Sequence, residues 1–388
     1  MSNELRYDVT KIVEDIIQSA LEKNASDIHI EPQREYICVR FRIDGVLSVQ
    51  EKLPVVLVQQ LIARIKIMGS IDTAQTRLPQ DGNYSIVYKN HDIDLRIATF
   101  PALYGEKIVL RILHQSDTVI TLDTIGMDQK QLQQFKELIQ HPHGFFIVSG
   151  PTGAGKTTTL YAALTLLNSP EKNIVTLEDP IEYCLSGITQ SQIHSDIGFG
   201  FAQGMRALLR QDPDIVLIGE IRDQETTQTA LQAALTGHMV LSTIHTVDAP
   251  SVVVRLIDMG IEPFLVNAAL TGVVAQRLAR ILCEKCKEQK TVTAEEQVFL
   301  QKINASIQTA YYAKGCSECF NTGYKGRVGI FELLVIDEKI RNLLMKNPSI
   351  VELRDHAREA GMKPMIQDGL EKLKSGIISL EELMKLFV

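Results

Sequence analysis

The sequence predicts an α/β protein: a largely parallel sheet covered by crossover helices, with a separate α+β domain in front of it. Two observations carry this. From about residue 145, short runs that are apolar at every position ("GFFIVSG", "NIVTLED", "DIVLIGE", "MVLSTIH") alternate with helix-like stretches. Such runs suit strands buried on both faces, which is the signature of parallel sheets with helical crossovers. Before residue 114 the apolar spacing is first helical and then strictly alternating, as expected of an amphipathic helix followed by half-buried strands. A chain of 388 residues has room for two or three such cores.

Taken in order, Val9, Ile12, Val13, Ile16, Ile17, Ala20 and Leu21 share one helical face, with Asp8 as N-cap and Asn24 as stop. Ile37, Val39, Phe41 and Ile43 then alternate with Cys38, Arg40 and Arg42, and Asp44-Gly45 supplies a hairpin turn. A helix is expected in "VVLVQQLIARIKIMG", and strands in "DIDLRIATF" and "EKIVLRIL". This N-terminal α+β domain spans 1–114. Residues 115–120, within the weakly periodic "HQSDTVITLDTIGMDQKQ", read as a linker. The parallel-sheet domain is expected over 121–280, a cysteine-bearing subdomain over 281–330 and a helical C-terminal segment over 331–388.

Composition excludes several classes. The formal net charge of −7 lacks the basic excess of a protein whose main partner is nucleic acid, so no direct nucleic-acid contact is expected. No apolar run approaches the roughly eighteen residues of a membrane span, and "MSNELRYDV" is too polar for a signal peptide, so a cytoplasmic chain is expected.

Gly150, Pro151, Thr152, Gly153, Ala154, Gly155, Lys156 and Thr157 fit the phosphate-binding pattern GxxxxGK[ST], with a strand-like run before and a helix from Thr158 after. Glycines let successive backbone N–H groups turn inward around phosphate oxygens, and the helix N-terminus adds partial positive charge. Lys156 would reach the β- and γ-phosphates, and the Thr157 hydroxyl would ligate Mg²⁺. No guanine-reading NKxD follows, so ATP is the expected nucleotide. A generic P-loop enzyme ends a later strand in a metal-holding aspartate. In "DPDIVLIGEIRD", Gly219 takes that place and Glu220 follows; a carboxylate there can polarise an attacking water, the alternative being a solvated loop residue. "TLEDPIEY" offers Glu178, Asp179 and Glu182, either as groups ordering the metal's water shell or as ordinary loop acids. "ALTGHMVLSTIHT" sets His238 and His245 at the two ends of a strand, as reporters of the γ-phosphate or as plain hydrogen-bonded residues.

Cys283 and Cys286 form one CxxC pair, and Cys316 and Cys319 a second, separated by residues 287–315. Two such turns complete a tetrahedral thiolate shell suited to structural Zn²⁺, with no position open for catalysis. The spacer exceeds the about fifteen to twenty residues of compact zinc ribbons, leaving room for a small subdomain. A redox dithiol or unligated core cysteines remain open.

Walker A at 150–158, "TLEDPIE", "RALLRQDPDIVLIGEIRD" and "ALTGHMVLSTIHT", in this order, resemble the Walker A, Asp box, atypical Walker B and His box of the secretion ATPase superfamily: type II secretion, type IV pilus assembly and competence pilus ATPases. "SDIHIEP", "RFRIDG", "LPQDG" and "LRIATFPALYGEKIVLRIL" resemble the domain that precedes the motor in that family, so the resemblance covers nearly the whole chain. It implies a RecA-like motor behind a PAS-like domain and a ring of six copies. ATP hydrolysis would move one domain against the other to assemble a pilin-like filament, with an inner-membrane platform protein as partner and peripheral association with the cytoplasmic membrane face. It implies Glu220 as catalytic base, assisted by Glu178 and Asp179, and matches Arg96, Arg111, Arg206, Arg210 and Arg222 to positions that neutralise phosphate. Alternation in "EKIVLRIL" independently turns Arg111 away from its domain core, and a spacing of four puts Arg206 and Arg210 on one helical face. The cysteine element is similar to that of the assembly and secretion branches, which implies extension or secretion rather than retraction. Two departures stand out: Asn83 replaces a frequent arginine, and the first helix begins where many members carry a further N-terminal domain, so a short form is expected. A nucleotide-gated scaffold that switches without sustained turnover is the alternative.

Overall fold

The structure is a computed structural model and describes residues 7–114, 121–346 and 348–387. It divides into two compact units, Met1–Asp117 and Thr118–Val388. The expected linker, 115–120, lies outside the described residues.

In the first unit, α1 (Val9–Glu22) starts where the Asp8 carboxylate accepts from the Lys11 amide, and it buries Val13, Ile16, Ile17, Ala20 and Leu21. The strands are β1 (Asp27–Pro32), β2 (Tyr36–Ile43), β3 (Val46–Pro54), β4 (Gln80–Tyr88), β5 (His91–Phe100) and β6 (Lys107–His114). They form one sheet in the order β3-β2-β1-β6-β5-β4, antiparallel throughout. The β2–β3 turn has positive φ at both Asp44 and Gly45, as a two-residue primed hairpin turn requires. The helix expected over 55–69 is a 3₁₀ turn at Val55–Leu57 followed by α2 (Val58–Met68). β4 escaped the sequence reading because its apolar residues are sparse and it holds Asp81-Gly82. Gly82 is there for space: a β-carbon would lie 2.3 Å from the Gly69 carbonyl oxygen. Ile28, Ile30, Leu95, Ile97, Ile108 and Leu110 face the core with α1 and α2, leaving the polar alternate positions on the other sheet face.

The second unit is built on a seven-stranded sheet of β7 (Gly144–Ser149), β8 (Ile174–Glu178), β9 (Thr189–Gln192), β10 (Ile215–Ile218), β11 (Met239–Ile244), β12 (Leu270–Leu282) and β15 (Tyr324–Val335), in the order β15-β12-β7-β11-β10-β8-β9. All pairs are parallel except β12–β15. Successive residues feed two cores: Phe145 and Ile147 enter one, Phe146 and Val148 the other. Hence every position of β7 is buried. Helices α3 (Gln129–Ile139) and α4 (Lys156–Leu167) contribute to one core; α5 (Phe201–Leu208), α6 (Gln224–Leu235), α7 (Ala249–Asp258) and α8 (Pro263–Ala269) contribute to the other. That second core continues into α9 (Ala294–Lys302) and the C-terminal helices α10 (Glu338–Leu344), α11 (Ile350–Glu359), α12 (Met365–Lys374) and α13 (Leu380–Phe387). A two-stranded sheet of β13 (Glu288–Thr291) and β14 (Thr309–Tyr312) fills the spacer between the cysteine pairs. The divisions placed at 280/281 and 330/331 each fall inside a strand of the main sheet, β12 and β15, so the cysteine and helical segments pack onto the same body as the phosphate loop.

Candidate functional site

Parallel strands end on a common edge. Ser149 of β7 lies opposite Ile244 of β11, Ser242 opposite Ile218 of β10, and Ile218 opposite Leu177 of β8. The phosphate loop, Glu220, His245 and Asp179 all follow directly from those ends. Ligands of open parallel sheets sit at this carboxyl edge.

The loop leaves β7 at Gly150 and enters α4 at Lys156. Gly150, Gly153 and Gly155 have φ of 146°, 79° and 84°, a region costly for side chains; at Gly150 a β-carbon would also lie 2.4 Å from the Gln276 carbonyl oxygen. The Lys156 ammonium donates to the Gly150 and Pro151 carbonyls at 2.8 and 3.1 Å and lies 3.5 Å from His245 Nδ1. Burial lowers its pKa from the ordinary value, while Glu220 pulls the other way. Thr157 and Thr158 occupy the first turn of α4.

The Glu220 side chain is 15% exposed, pairs with Arg222, and has His245 Nε2 3.7 Å away. Arg222 is held charged chiefly by its hydrogen bond to Glu220. Behind Glu220, Ser242 Oγ and Thr243 Oγ1 donate to the Ile218 and Gly219 carbonyls at 2.8 and 2.7 Å, and the Ile221 amide donates to Thr243 O at 2.9 Å.

The acidic box divides. Asp179 and Glu182 are exposed, whereas Glu178 is 3% exposed. Its carboxylate accepts from Tyr161, from Thr176 Oγ1 at 2.6 Å and from Gln190 Nε2 at 3.1 Å.

Other expected residues are placed elsewhere. His238 precedes β11, at the opposite sheet edge from the loop, with Nδ1 2.9 Å from the Ala233 carbonyl; within one chain it is not brought to the loop. Arg206 lies on α5 and pairs with Glu225. Arg210 does not share its helical face, because α5 ends at Leu208; instead its guanidinium donates to the Arg206 carbonyl at 2.5 Å. Arg96 and Arg111 belong to the first unit, where they are cross-strand partners, and Arg96 also faces Asn83 of β4. Arg111 is 65% exposed, with Nε 3.0 Å from Asp27 Oδ1, while its neighbours Ile108, Leu110 and Ile112 are buried.

One residue the sequence reading missed is Gln276. Fully buried on β12, its amide donates to the Ala154 carbonyl at 2.7 Å and accepts from Thr159 Oγ1 at 2.8 Å. It clamps the loop to the helix that follows. The available signal was a lone amide inside the apolar run "LTGVVAQRLARIL".

The four cysteines converge with Sγ–Sγ distances of 3.9 Å (Cys283–Cys316), 3.8 Å (Cys286–Cys319) and 3.7 Å (Cys316–Cys319). A tetrahedral shell with metal–sulfur bonds of about 2.3 Å has edges of about 3.8 Å. Burial raises the Cys319 thiol, but amides of Cys316 and Gly323 donating at 3.2 Å outweigh it and draw it down to about 7. Burial pushes the Cys286 thiol the other way, up to about 12, so it is the sulfur spacing that fits a tetrahedrally bound cation. No described helix is long and apolar enough to cross a membrane.

Comparison with known proteins agrees with this geometry. The family described as "Type II/IV secretion system protein" matches residues 4–385. Over 378 residues the chain is 45% identical to "Type II secretion system protein E" of Pseudomonas aeruginosa, covering 97% of this chain and 75% of that one. It is 44% identical over 376 residues to "Type IV pilus assembly ATPase PilB" of Thermus thermophilus, covering 96% of this chain and 42% of that one. A solved structure, "Pilus Retraction Motor PilT and Bound ADP", superposes with a TM-score of 0.64 at 26% identity, covering 96% of each chain.

Proposed function

The chain belongs to the Type II/IV secretion system protein family and is an ATPase, and we propose that it works as a ring of six copies powering assembly of a pilin-like filament for secretion, pilus extension or DNA uptake. The observation that carries the chemistry is Glu220 at the sheet edge, paired with Arg222 and facing His245, with the Lys156 ammonium beside the same histidine. When a nucleotide arrives, Lys156 exchanges its contacts with Gly150 and Pro151 for β- and γ-phosphate oxygens. Glu220 accepts a proton from the attacking water, and Arg222 turns from Glu220 toward the developing phosphate charge. His245, between Lys156 and Glu220, senses whether the γ-phosphate is present. Thr157, with Asp179 through water, would hold Mg²⁺, which neutralises charge on the phosphates.

Arg96, Arg111, Arg206 and Arg210 are proposed to complete charge neutralisation within the ring, and the four cysteines to hold a structural Zn²⁺. The platform partner would be an inner-membrane protein contacted from the cytoplasmic face. Assembly rather than retraction is favoured by the clustered Cys283, Cys286, Cys316 and Cys319, the element that resembles the assembly and secretion branches.

The test is steady-state ATP turnover of Glu220→Gln. Losing a general base costs about 10²- to 10⁴-fold in rate, with nucleotide binding retained. Equal turnover in variant and parent would overturn the assignment.

A further inference from the structure

Tyr161 is the hub joining the phosphate-loop helix to the acidic box. It lies in the second turn of α4 and is fully buried, with its ring edge-on to Tyr183 at 4.6 Å between centroids. Its hydroxyl donates to Glu178 Oε2 and accepts from the Glu182 amide at 3.4 Å and the Gln190 amide at 3.3 Å. One donor and two acceptor sites are all that a phenol offers, so its capacity is used in full. Burial first, and then the hydrogen bond to Glu178, push the phenol well above its usual pKa; it donates as the neutral hydroxyl.

The Glu178 carboxylate is equally committed. Three protein donors, Tyr161, Thr176 and Gln190, hold a side chain that is 3% exposed. A buried charge held by three donors is stable in place and costly to release. Asp179, the next residue, is exposed. A carboxylate tied inward by three donors restrains the backbone that carries its exposed neighbour.

We infer that Tyr161 and Glu178 form a positioning pair that couples the phosphate-loop helix to the acidic box, and that Asp179 alone of the two adjacent acids acts at the metal's water shell. This rests on the ATPase reading above. A displacement of α4 on phosphate binding is carried through the Tyr161 hydroxyl to the loop bearing Asp179, so that loop and helix move as one body.

The experiment is steady-state kinetics on the full chain with Tyr161→Phe, Glu178→Gln and the double variant, at varied ATP and varied Mg²⁺, alongside thermal unfolding. Misplacing a catalytic group by about 1 Å costs about 10²-fold in rate, so Tyr161→Phe is expected to lose about 10- to 100-fold in kcat with KM for ATP essentially unchanged. Since both changes cut one connection, the double variant should be no slower than the slower single. Mg²⁺ half-saturation should stay put in Glu178→Gln and rise in Asp179→Asn. Should Tyr161→Phe fail to fold, Gln190→Leu on the half-exposed edge strand β9 removes one donor from the same carboxylate and should slow turnover in the same pattern. Tyr161→Phe with lowered melting temperature and wild-type kcat would show packing alone and overturn the pair, as would multiplicative losses in the double variant or a raised Mg²⁺ half-saturation in Glu178→Gln. None of these outcomes touches the Glu220 test, which stands on the parent chain's turnover.

Discussion

Gly219 stands where generic phosphate-loop enzymes place an aspartate, and the structure gives a steric reason. Its amide donates to the Leu177 carbonyl at 2.7 Å, drawing the end of β10 against the end of β8. A β-carbon at 219 would lie 3.2 Å from Leu177 O and 3.3 Å from Glu178 Cα. Both contacts are to backbone within a hydrogen-bonded parallel pair, so neither can swing aside as a side chain would. Overpacking of this kind costs about 1–3 kcal/mol. At roughly 2–4 °C per kcal/mol for a domain of about this size, Gly219→Ala should lower the melting temperature by about 2–12 °C. The relief available is to push Glu220 and Asp179 apart. Contacts of 3.2 and 3.3 Å are relieved by a few tenths of an ångström, and since a full 1 Å costs about 10²-fold in turnover, activity should fall by roughly 2- to 5-fold alongside the loss of stability. Gly219→Asp, which rebuilds the generic pattern, should be worse on both counts, since it adds a carboxylate beside Glu178 and Glu220. Differential scanning fluorimetry and a coupled ATPase assay on the purified chain read both quantities. Gly219→Asp matching or exceeding the parent in turnover would refute the reasoning outright.

The cysteine cluster should hold about one zinc per chain by elemental analysis, and Cys316→Ser should lose it together with thermal stability; undiminished metal in that variant would remove the site. Glu332, buried on β15, accepts from the amides of Ala249 and Met365 at 3.0 Å each, and burial raises its carboxyl above the ordinary 4.5 despite those bonds. A group whose folded pKa is raised contributes stability that is present at low pH and lost as pH climbs through the raised value. The stability difference between the parent and Glu332→Gln, read by denaturant unfolding, should therefore shift against the parent as pH rises above 4.5; a difference that is flat or moves toward the parent would contradict the burial argument.

What could be read from the sequence was what local backbone chemistry dictates. The phosphate loop was legible because glycine spacing and one lysine specify it almost alone, and the cysteine pairs because two short turns specify a shell. Burial on both faces made β7, β8, β10 and β11 visible as unbroken apolar runs, while the half-exposed, polar edge strand β9 left no such run. What escaped depends on partners far off in the chain: Tyr161 meets Glu178 across 17 positions, Glu332 meets Ala249 across 83, and Gln276 meets Thr159 across 117. A spacing of four misplaced Arg210 because nothing in that spacing records where α5 stops. His238 and His245 looked equivalent as the two ends of one strand, but only the carboxyl end of a parallel strand faces the loop.

The polar residues inside the apolar runs deserve to be read as the device that sets the site's geometry. Thr176, Ser242, Thr243 and Gln276 are each buried within a strand, and each spends its side chain on an atom next to the loop or the acids: Glu178, the Ile218 and Gly219 carbonyls, and the Ala154 carbonyl. Ser149 at the end of β7 adds a 2.6 Å hydroxyl contact to Thr246. Each such bond contributes only about 0.5–1.5 kcal/mol net, but leaving its buried partner unmade costs about 1–3 kcal/mol. The strand ends are thus penalised for sliding rather than rewarded for sitting still. Arg222 at 68% exposure and His245 at 49% make their contacts, to Glu220 and Lys156, in partly solvated surroundings instead. In the mechanism proposed above, the sheet edge would be the fixed reference against which a γ-phosphate is measured, and the exposed cation and imidazole would be the parts that rearrange when it is cleaved.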